Sequence, residues 1–240
     1  MKLGVIGGLG PMATAYFMEL VTKMTDAKCD QEHLDMIIYS CPSIPDRTGY
    51  ILGKAEESPF LPMLEIGKRL RREGVDIISI PCVTAHFFID DLKRALKLPI
   101  IDAVEEMALV TQKMGLKRVG IMCTDGTLES RLFQNRLEDK DIECIIPSRA
   151  SREAIMDIIY RDIKAGRAPN MGKFYRVAKE LWSGGAQAIL LGCTELSLIK
   201  REFPIGTDYI DILEIMAWAS IAHCQKQIKK EYSYFIAKKG

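Results

Sequence analysis

Two cysteines, one in each half of the chain, stand in similar surroundings. Cys82 lies in Ile-Pro-Cys-Val-Thr-Ala-His, residues 80–86, and Cys193 lies in Leu-Gly-Cys-Thr-Glu-Leu, residues 191–196. The apolar run before each cysteine predicts a fully buried parallel strand, because it is too short for a helix and rich in aliphatic residues. Open α/β sheets build their sites at the carboxyl ends of such strands. We therefore expect the two thiols to face one cleft.

Two thiols on opposite walls of a cleft can remove a proton from one face of a carbon and return one to the other face. The Cα–H of an amino acid is a very weak acid, so this reaction without a cofactor requires a positioned thiolate. Each cysteine precedes a helix or turn, where the positive end of the helix dipole favours a thiolate. A single essential cysteine would instead suit decarboxylation or covalent catalysis. The structural alternative is that both are inert strand-end thiols.

Other chemistries receive less support from the sequence. Dinucleotide binding receives little support. The glycines of residues 4–10 follow a strand, but their spacing is not GxGxxG, and no acidic residue ends the second strand, where such a residue would bind the ribose. Backbone N–H groups in that turn can still bind a carboxylate. The three histidines show no metal-ligand spacing with the cysteines, so we expect no metal. His86 follows Cys82 by four residues, where it either polarises the site or serves in capping and packing.

The composition is that of an ordinary globular protein. The chain has 240 residues, 48% of them hydrophobic and 27% charged, with a net charge of +1. A charge so close to zero gives little support to nucleic-acid binding, and no apolar stretch approaches the roughly 20 residues of a membrane span. The seven cysteines are an odd number without CxxC pairs. We expect reduced thiols, a cytoplasmic location and no nucleic-acid or membrane partner.

Strand-like and helix-like segments alternate, which predicts an α/β fold built from βαβ units around parallel sheets. The order of a glycine turn, a Pro-Ser loop and a cysteine-ended strand occurs twice, which indicates two equivalent halves. The predicted strands are 2–7, 34–39, 75–80, 99–101, 118–123, 142–146, 186–191 and a short one near 209. The predicted helices are 12–25, 59–72, 84–97, 104–114, 128–137, 151–165, 170–183 and 211–229.

Over nearly its whole length the chain resembles the aspartate/glutamate racemase family of cofactor-independent amino-acid racemases. The matching segments are 4–14 (Gly-Val-Ile-Gly-Gly-Leu-Gly-Pro-Met-Ala-Thr), 43–48 (Ser-Ile-Pro-Asp-Arg-Thr), 81–86, 125–127 (Asp-Gly-Thr) and 192–196. The resemblance implies two similar α/β domains, each a parallel sheet flanked by helices, related by a pseudo-twofold. It also implies a site between them, no cofactor and a homodimer. We expect domain boundaries of 1–103 plus 208–240 for one domain and 104–207 for the other.

The resemblance also implies roles for individual residues. Cys82 and Cys193 match the two catalytic acid/bases. Arg47 and Lys164 match positions that hold the substrate side-chain carboxylate in aspartate-selective members. Glu195 stands where glutamate racemases have His, so it is a candidate to assist Cys193. The remaining expected pocket residues are Met12, Val83, Thr84, Thr124, Thr127 and Thr194.

Val83 departs from the family pattern, which has Asn immediately after the first cysteine. Valine offers no hydrogen bond, so either neighbouring threonines take over the carboxylate contacts or the substrate differs. The predicted function is racemisation of an acidic amino acid, with aspartate first and glutamate second, by a two-cysteine mechanism. Two alternatives stay open: a cysteine-dependent isomerase or decarboxylase of a small dicarboxylate, and an amino-acid-binding homologue that has lost turnover.

Overall fold

The computed structural model describes residues 1–235 and contains two parallel sheets. The last five residues of the predicted segment 208–240 therefore lie outside the described residues. The first sheet has the strand order β2-β1-β3. The elements of this half are β1 (Lys2–Gly7), α1 (Pro11–Met24), β2 (Asp35–Ser40), α2 (Arg47–Ile51), α3 (Phe60–Arg72), β3 (Ile77–Ser79), a 3-10 helix (Val83–Phe88), α4 (Ile89–Leu96) and α5 (Ala103–Lys113).

The second sheet has the strand order β5-β4-β6-β7. Its elements are β4 (Arg118–Met122), α6 (Asp125–Glu129), α7 (Leu132–Glu138), β5 (Glu143–Ile145), α8 (Arg149–Met156), a π-helix (Asp157–Ile163), α9 (Met171–Ser183), β6 (Ala188–Leu191), α10 (Thr194–Glu202), β7 (Tyr209–Asp211) and α11 (Ile212–His223). Short 3-10 helices also occur at Asp30–Glu32 and Lys230–Phe235.

The two sheets repeat one arrangement. The first strand of each half pairs in parallel with the next two strands of that half. β7 then pairs with β6, and a parallel bridge between Ile78 and Ile100 occupies the same place beside β3. The strands before both cysteines are buried on both faces, as parallel strands covered by helices must be. The predicted α/β class with two similar parallel sheets is confirmed.

The helix that ends each half packs across to the other half. α5 follows the first sheet but contacts α7, whereas α11 follows the second sheet and contacts α1. α5 and α11 also pack against each other. One continuous apolar core consequently contains residues of both halves, such as Phe17 and Val119. Burial of this shared surface favours one arrangement of the two halves and hence one shape of the space between them.

Several predicted helices are divided or shortened for local reasons. The segment 84–97 begins as a 3-10 helix because the Ala85 N–H bonds to the Cys82 carbonyl, only three residues back. The segment 128–137 is split into α6 and α7 at Arg131, which has φ +54°. The segment 151–165 begins earlier, capped by Ser148, and continues as the π-helix.

The last predicted helix, 211–229, ends at His223. Gln225 adopts φ +60°, a left-handed conformation that commonly ends a helix. No helix within residues 1–235 combines the length and the apolar content that a membrane span requires.

Candidate active site

The two cysteines come from different halves and line the same small cavity. Each is the residue immediately before a helix: Cys82 precedes the 3-10 helix, and Cys193 precedes α10. Both are buried, with 6% of their surface exposed. The cavity is lined by Leu9, Asp46, Arg47, Thr48, Cys82, Val83, Thr84, Thr124, Tyr160, Lys164, Cys193, Thr194 and Glu195. Because the cavity lies between the two halves, residues that are distant in sequence line it together.

Glu195 connects Cys193 with a cation. The Cys193 thiol donates to Glu195 Oε2 at 3.0 Å, and Lys164 Nζ lies 3.3 Å from Oε1. Burial, and then the Glu195 carboxylate, raises the pKa of the Cys193 thiol well above its usual value, an effect that Lys164 partly opposes. This arrangement favours Cys193 as a protonated thiol at neutral pH.

Lys164 stands directly after the π-helix. Its ammonium lies 5.0 Å from the centre of the Tyr160 ring, a cation–π contact. Burial lowers the pKa of Lys164, but Glu195 and both cysteines in their thiolate form raise it, so its pKa lies above the usual value. Lys164 is therefore a cation in the cavity wall.

Arg47 is a buried cation in the wall formed by the first half. Its Nη1 donates to the carbonyls of Ile44 and Pro45 at 3.2 and 3.0 Å, and Nη2 donates to the Leu9 carbonyl at 2.9 Å. Nε has no hydrogen-bond partner. Because a guanidinium has five N–H groups, Nε–H and one Nη2–H remain. Nε and Nη2 share one edge, and two such neighbouring donors suit one carboxylate.

Anions beside the Arg47 guanidinium also stabilise its protonated, positively charged form. Burial lowers the pKa of Arg47, but a Cys82 thiolate and the Asp46 carboxylate raise it above its usual value. The two cysteines thus have different electrostatic surroundings, cationic at Cys82 and carboxylate-containing at Cys193.

Three threonine hydroxyls join the halves behind the cavity. Thr84 Oγ1 lies 3.0 Å from the Oγ1 atoms of Thr124 and Thr127, which are themselves 3.0 Å apart. Thr84 and Thr124 line the cavity, whereas Thr127 is fully buried behind them. Gly126 allows this close approach, because a Cβ there would lie 2.9 Å from the Cα of Thr48.

The other predicted pocket residues lie at different depths. Val83 lines the cavity and also packs into the shared apolar core. Thr194 lines the cavity, and its hydroxyl lies 3.5 Å from the Pro81 carbonyl of the first half. Met12 is 59% exposed and lies in the wider, open mouth outside the cavity. His86 does not contribute to the cavity lining.

The glycine turn after β1 borders the same space. Gly8 has φ +88°, a conformation that other residues rarely adopt. A Cβ at Gly10 would lie 2.7 Å from Glu195 Oε1, so the missing side chain at Gly10 leaves room for the carboxylate in its present position. The glycine turn therefore leaves space for the Glu195 side chain in the cavity wall.

Four residues of the cavity wall were not predicted from the sequence: Leu9, Asp46, Thr48 and Tyr160. The Tyr160 hydroxyl donates to Asp46 Oδ1 at 3.0 Å, which links the π-helix of the second half to the N-terminus of α2 in the first. Burial raises the pKa of Tyr160 well above its usual value, so this hydroxyl stays a donor. Asp46 lay within the matching segment 43–48 and could have been found there. Tyr160 carried no signal beyond its place one helical turn before Lys164.

In the described part of the chain, no three His, Cys, Asp or Glu side chains are grouped closely enough to hold a metal ion. The fold and the cavity define an α/β protein with a thiol from each of two similar halves in one site. The model of the family described as "Asp/Glu/Hydantoin racemase" matches residues 6–220. The chain belongs to this family, which confirms the resemblance found in its sequence.

Individual relatives agree with this assignment. The broad-specificity amino-acid racemase RacX of Bacillus subtilis is 26% identical over 211 residues, which cover 85% of this chain and 91% of RacX. The structure of an aspartate racemase from Picrophilus torridus is 32% identical, with a TM-score of 0.83 over 99% of this chain and 100% of that one. A glutamate racemase from Francisella tularensis, at 19% identity, shares the fold over 93% of this chain and 82% of its own, with a TM-score of 0.63.

Proposed function

We propose that this protein racemises an acidic amino acid, aspartate first and glutamate second, with Cys82 and Cys193 as the two acid/bases. The observation that carries the proposal is the cavity itself, in which one thiol from each half faces a space that also contains two cationic side chains. Membership of the racemase family supports the reaction class. The name of the Picrophilus relative favours aspartate, whereas RacX is named for broad specificity.

In one direction, the Cys82 thiolate takes the Cα proton and leaves an electron pair that delocalises into the α-carboxylate. The Cys193 thiol then gives its proton to the opposite face of Cα. This leaves Cys82 as a thiol and Cys193 as a thiolate, the state required for the other enantiomer. Protons and charge balance without a further reactant.

The surroundings of each thiol fit these starting states. The Cys193 thiol donates to Glu195, and its pKa is raised by burial and by that carboxylate. Cys82 lies beside the Arg47 guanidinium, which places a positive charge next to its sulfur. As Cys193 loses its proton, the Lys164 ammonium beside Glu195 offsets the growing negative charge. Lys164 thus supports proton donation as well as being a candidate for substrate binding.

The acidic substrate class rests mainly on Arg47. Lys164 already pairs with Glu195, whereas no ion pair joins Arg47 to a carboxylate within residues 1–235. The free Nε–H and the remaining Nη2–H of Arg47 are suited to the substrate side-chain carboxylate. Thr84 and Thr124 supply hydroxyls to the wall of the same cavity that Val83 lines, where the family has asparagine in place of Val83.

Cysteine variants and solvent isotope exchange test the proposal. Cys82→Ser and Cys193→Ser should each lower racemisation of aspartate by roughly a hundredfold or more, the usual loss for a missing acid/base. In deuterium oxide the wild type should incorporate deuterium at Cα of L- and D-aspartate, measured by NMR. Full activity in either variant would exclude the two-base mechanism.

The same measurements separate the alternatives. An amino-acid-binding homologue would incorporate no deuterium although it binds aspartate. A decarboxylase or a single-thiol isomerase would consume aspartate or another dicarboxylate, and would depend on one cysteine alone. The proposal also includes a homodimer, a cytoplasmic location, no cofactor and the domain division 1–103 plus 208–240 and 104–207. Packing of α11 against α1 supports grouping that helix with residues 1–103, whereas β7 pairs with β6 of the second sheet.

A further inference from the structure

His86 forms a hydrogen-bonded bridge behind Cys82. Its ring is buried, with 2% exposed, and Nδ1 lies 3.0 Å from the Cys82 carbonyl oxygen. The backbone N–H of Ala103 donates to Nε2 at 3.2 Å. Because Nε2 accepts, the proton of the neutral ring is on Nδ1, which donates to the Cys82 carbonyl. Burial lowers the pKa of His86, an effect that Asp102 opposes, so the ring stays neutral.

The bridge joins two functionally different parts of the fold. Cys82 is the residue before the 3-10 helix and lines the cavity, whereas Ala103 is the first residue of α5. α5 is the helix that leaves the first half and packs against α7 and α11. His86 therefore ties the backbone of Cys82 to the start of the helix that crosses between the halves.

The second half contains a corresponding contact made by different chemistry. Ser197 follows Cys193 by four residues, as His86 follows Cys82. The Ser197 hydroxyl donates to Asp211 Oδ1 at 2.5 Å, and the same oxygen accepts from the Leu213 N–H at 2.8 Å. Asp211 caps α11, the other crossing helix. Ser197 and Asp211 are fully buried.

We propose that His86 and Ser197 are a matched pair of positioning residues, each holding one cysteine-bearing turn against the start of a crossing helix. The role in catalysis rests on the proposed racemase function. The contacts serve two separate turns, so each residue is expected to affect the cysteine of its own half. Since a displacement of 1 Å can cost about a hundredfold in rate, small changes in these turns should be measurable.

Three variants test the pair. His86→Asn keeps a donor near the Nδ1 position and loses the bond to Ala103, whereas His86→Gln keeps an acceptor near Nε2 and loses the bond to Cys82. Both break the bridge while retaining one end. Ser197→Ala breaks the contact in the other half and serves as the matched control. Alkylation of each cysteine by iodoacetamide is followed by peptide mass spectrometry, together with kcat, KM and Tm.

We expect both His86 variants to lower kcat by about tenfold with KM within about twofold, because they move a reacting group rather than a binding group. They should change the alkylation rate of Cys82 and leave that of Cys193 unchanged, and Ser197→Ala should show the reverse. Wild-type kcat in the His86 variants, or equal changes at both cysteines in any variant, would overturn the proposal.

The alkylation pattern separates this proposal from the proposed function. If the wild type exchanges no Cα proton, the racemase assignment fails, yet selective changes at Cys82 and Cys193 still support the positioning pair. Should a His86 variant fail to fold, Ser197→Ala applies the same criterion independently, and an unchanged Cys193 alkylation rate there would overturn the proposal.

Discussion

Replacement of Arg47 by Leu tests substrate binding most directly. The change removes Nε–H and the remaining Nη2–H, the two donors that we assign to the side-chain carboxylate of aspartate. A hydrogen bond to a charged group contributes about 1.5–3 kcal/mol. Since about 1.4 kcal/mol corresponds to a factor of ten, the loss of even one of these two bonds should raise KM for aspartate by roughly ten- to a hundredfold, which is therefore the minimum effect that we expect.

The structure indicates that Arg47→Leu also lowers the stability of the fold, which the sequence did not show. From the sequence we would expect Arg47→Leu to leave the fold intact. However, three bonds from Arg47 satisfy the carbonyls of Leu9, Ile44 and Pro45. At about 1 kcal/mol for each bond, the free energy of unfolding should fall by about 3 kcal/mol. For a chain of this size that corresponds to a Tm lower by roughly 6–12 °C.

The assay compares aspartate with asparagine, which lacks the side-chain charge, at a temperature well below the Tm of the variant. Arg47→Lys serves as the matched control because it keeps the positive charge beside Cys82 and lacks the planar fork. We expect Arg47→Leu to raise KM for aspartate much more than KM for any measurable turnover of asparagine. Arg47→Lys should lie between the wild type and the Leu variant.

An equal effect on both substrates would refute this reasoning. Arg47 would then act only through its three carbonyl bonds, by holding the loop before α2, and the acidic substrate class would lose its main support. A variant with reduced Tm and unchanged KM for aspartate would lead to the same conclusion.

Three further predictions concern charge and polarity elsewhere in the fold. Val83→Asn should raise aspartate turnover by about tenfold, because an added amide can donate to the substrate carboxylate; a decrease in a variant that still folds would show that the substrate is different. Glu195→Gln should move the pH profile of Cys193 alkylation to lower pH, since the carboxylate that helps raise the pKa of that thiol is gone; an unchanged profile would contradict this. Burial, followed by Glu214, raises the pKa of Asp211 from 3.8 to about 7, so its stabilising contribution is present below about pH 4 and lost as the pH rises through 7. The Tm of the wild type relative to Asp211→Asn should therefore be higher at pH 5 than at pH 8, and a difference independent of pH would contradict this.

The class of fold and the two strand ends that bear cysteines could both be predicted from the sequence. A parallel strand covered on both faces must be continuously apolar, so β6 and the run before Cys82 were visible as short aliphatic segments. Their repetition in the same order indicated two similar halves. The residues expected at the site also came from local motifs, since each motif lies within a few positions of a strand end.

The contacts that those residues make depend on the tertiary structure and could not be predicted from the sequence. Arg47 looked like a free substrate-binding cation, but the backbone carbonyls of its own loop and of the glycine turn occupy three of its donors. Tyr160 enters the cavity wall because a π-helix directs it toward Asp46 of the other half. Contacts of this kind depend on how two distant segments approach, and local periodicity carries no information about that approach.

The packing of α5 and α11 across the two halves is another feature that local sequence patterns do not predict. Each sequence pattern specifies an amphipathic or apolar helix, yet it does not specify which half covers the apolar face. That choice follows from burial of a core shared by both halves. It places His86 and Ser197 between a cysteine-bearing turn and a crossing helix, a relation that becomes visible only when Ala103 and Asp211 are seen beside them.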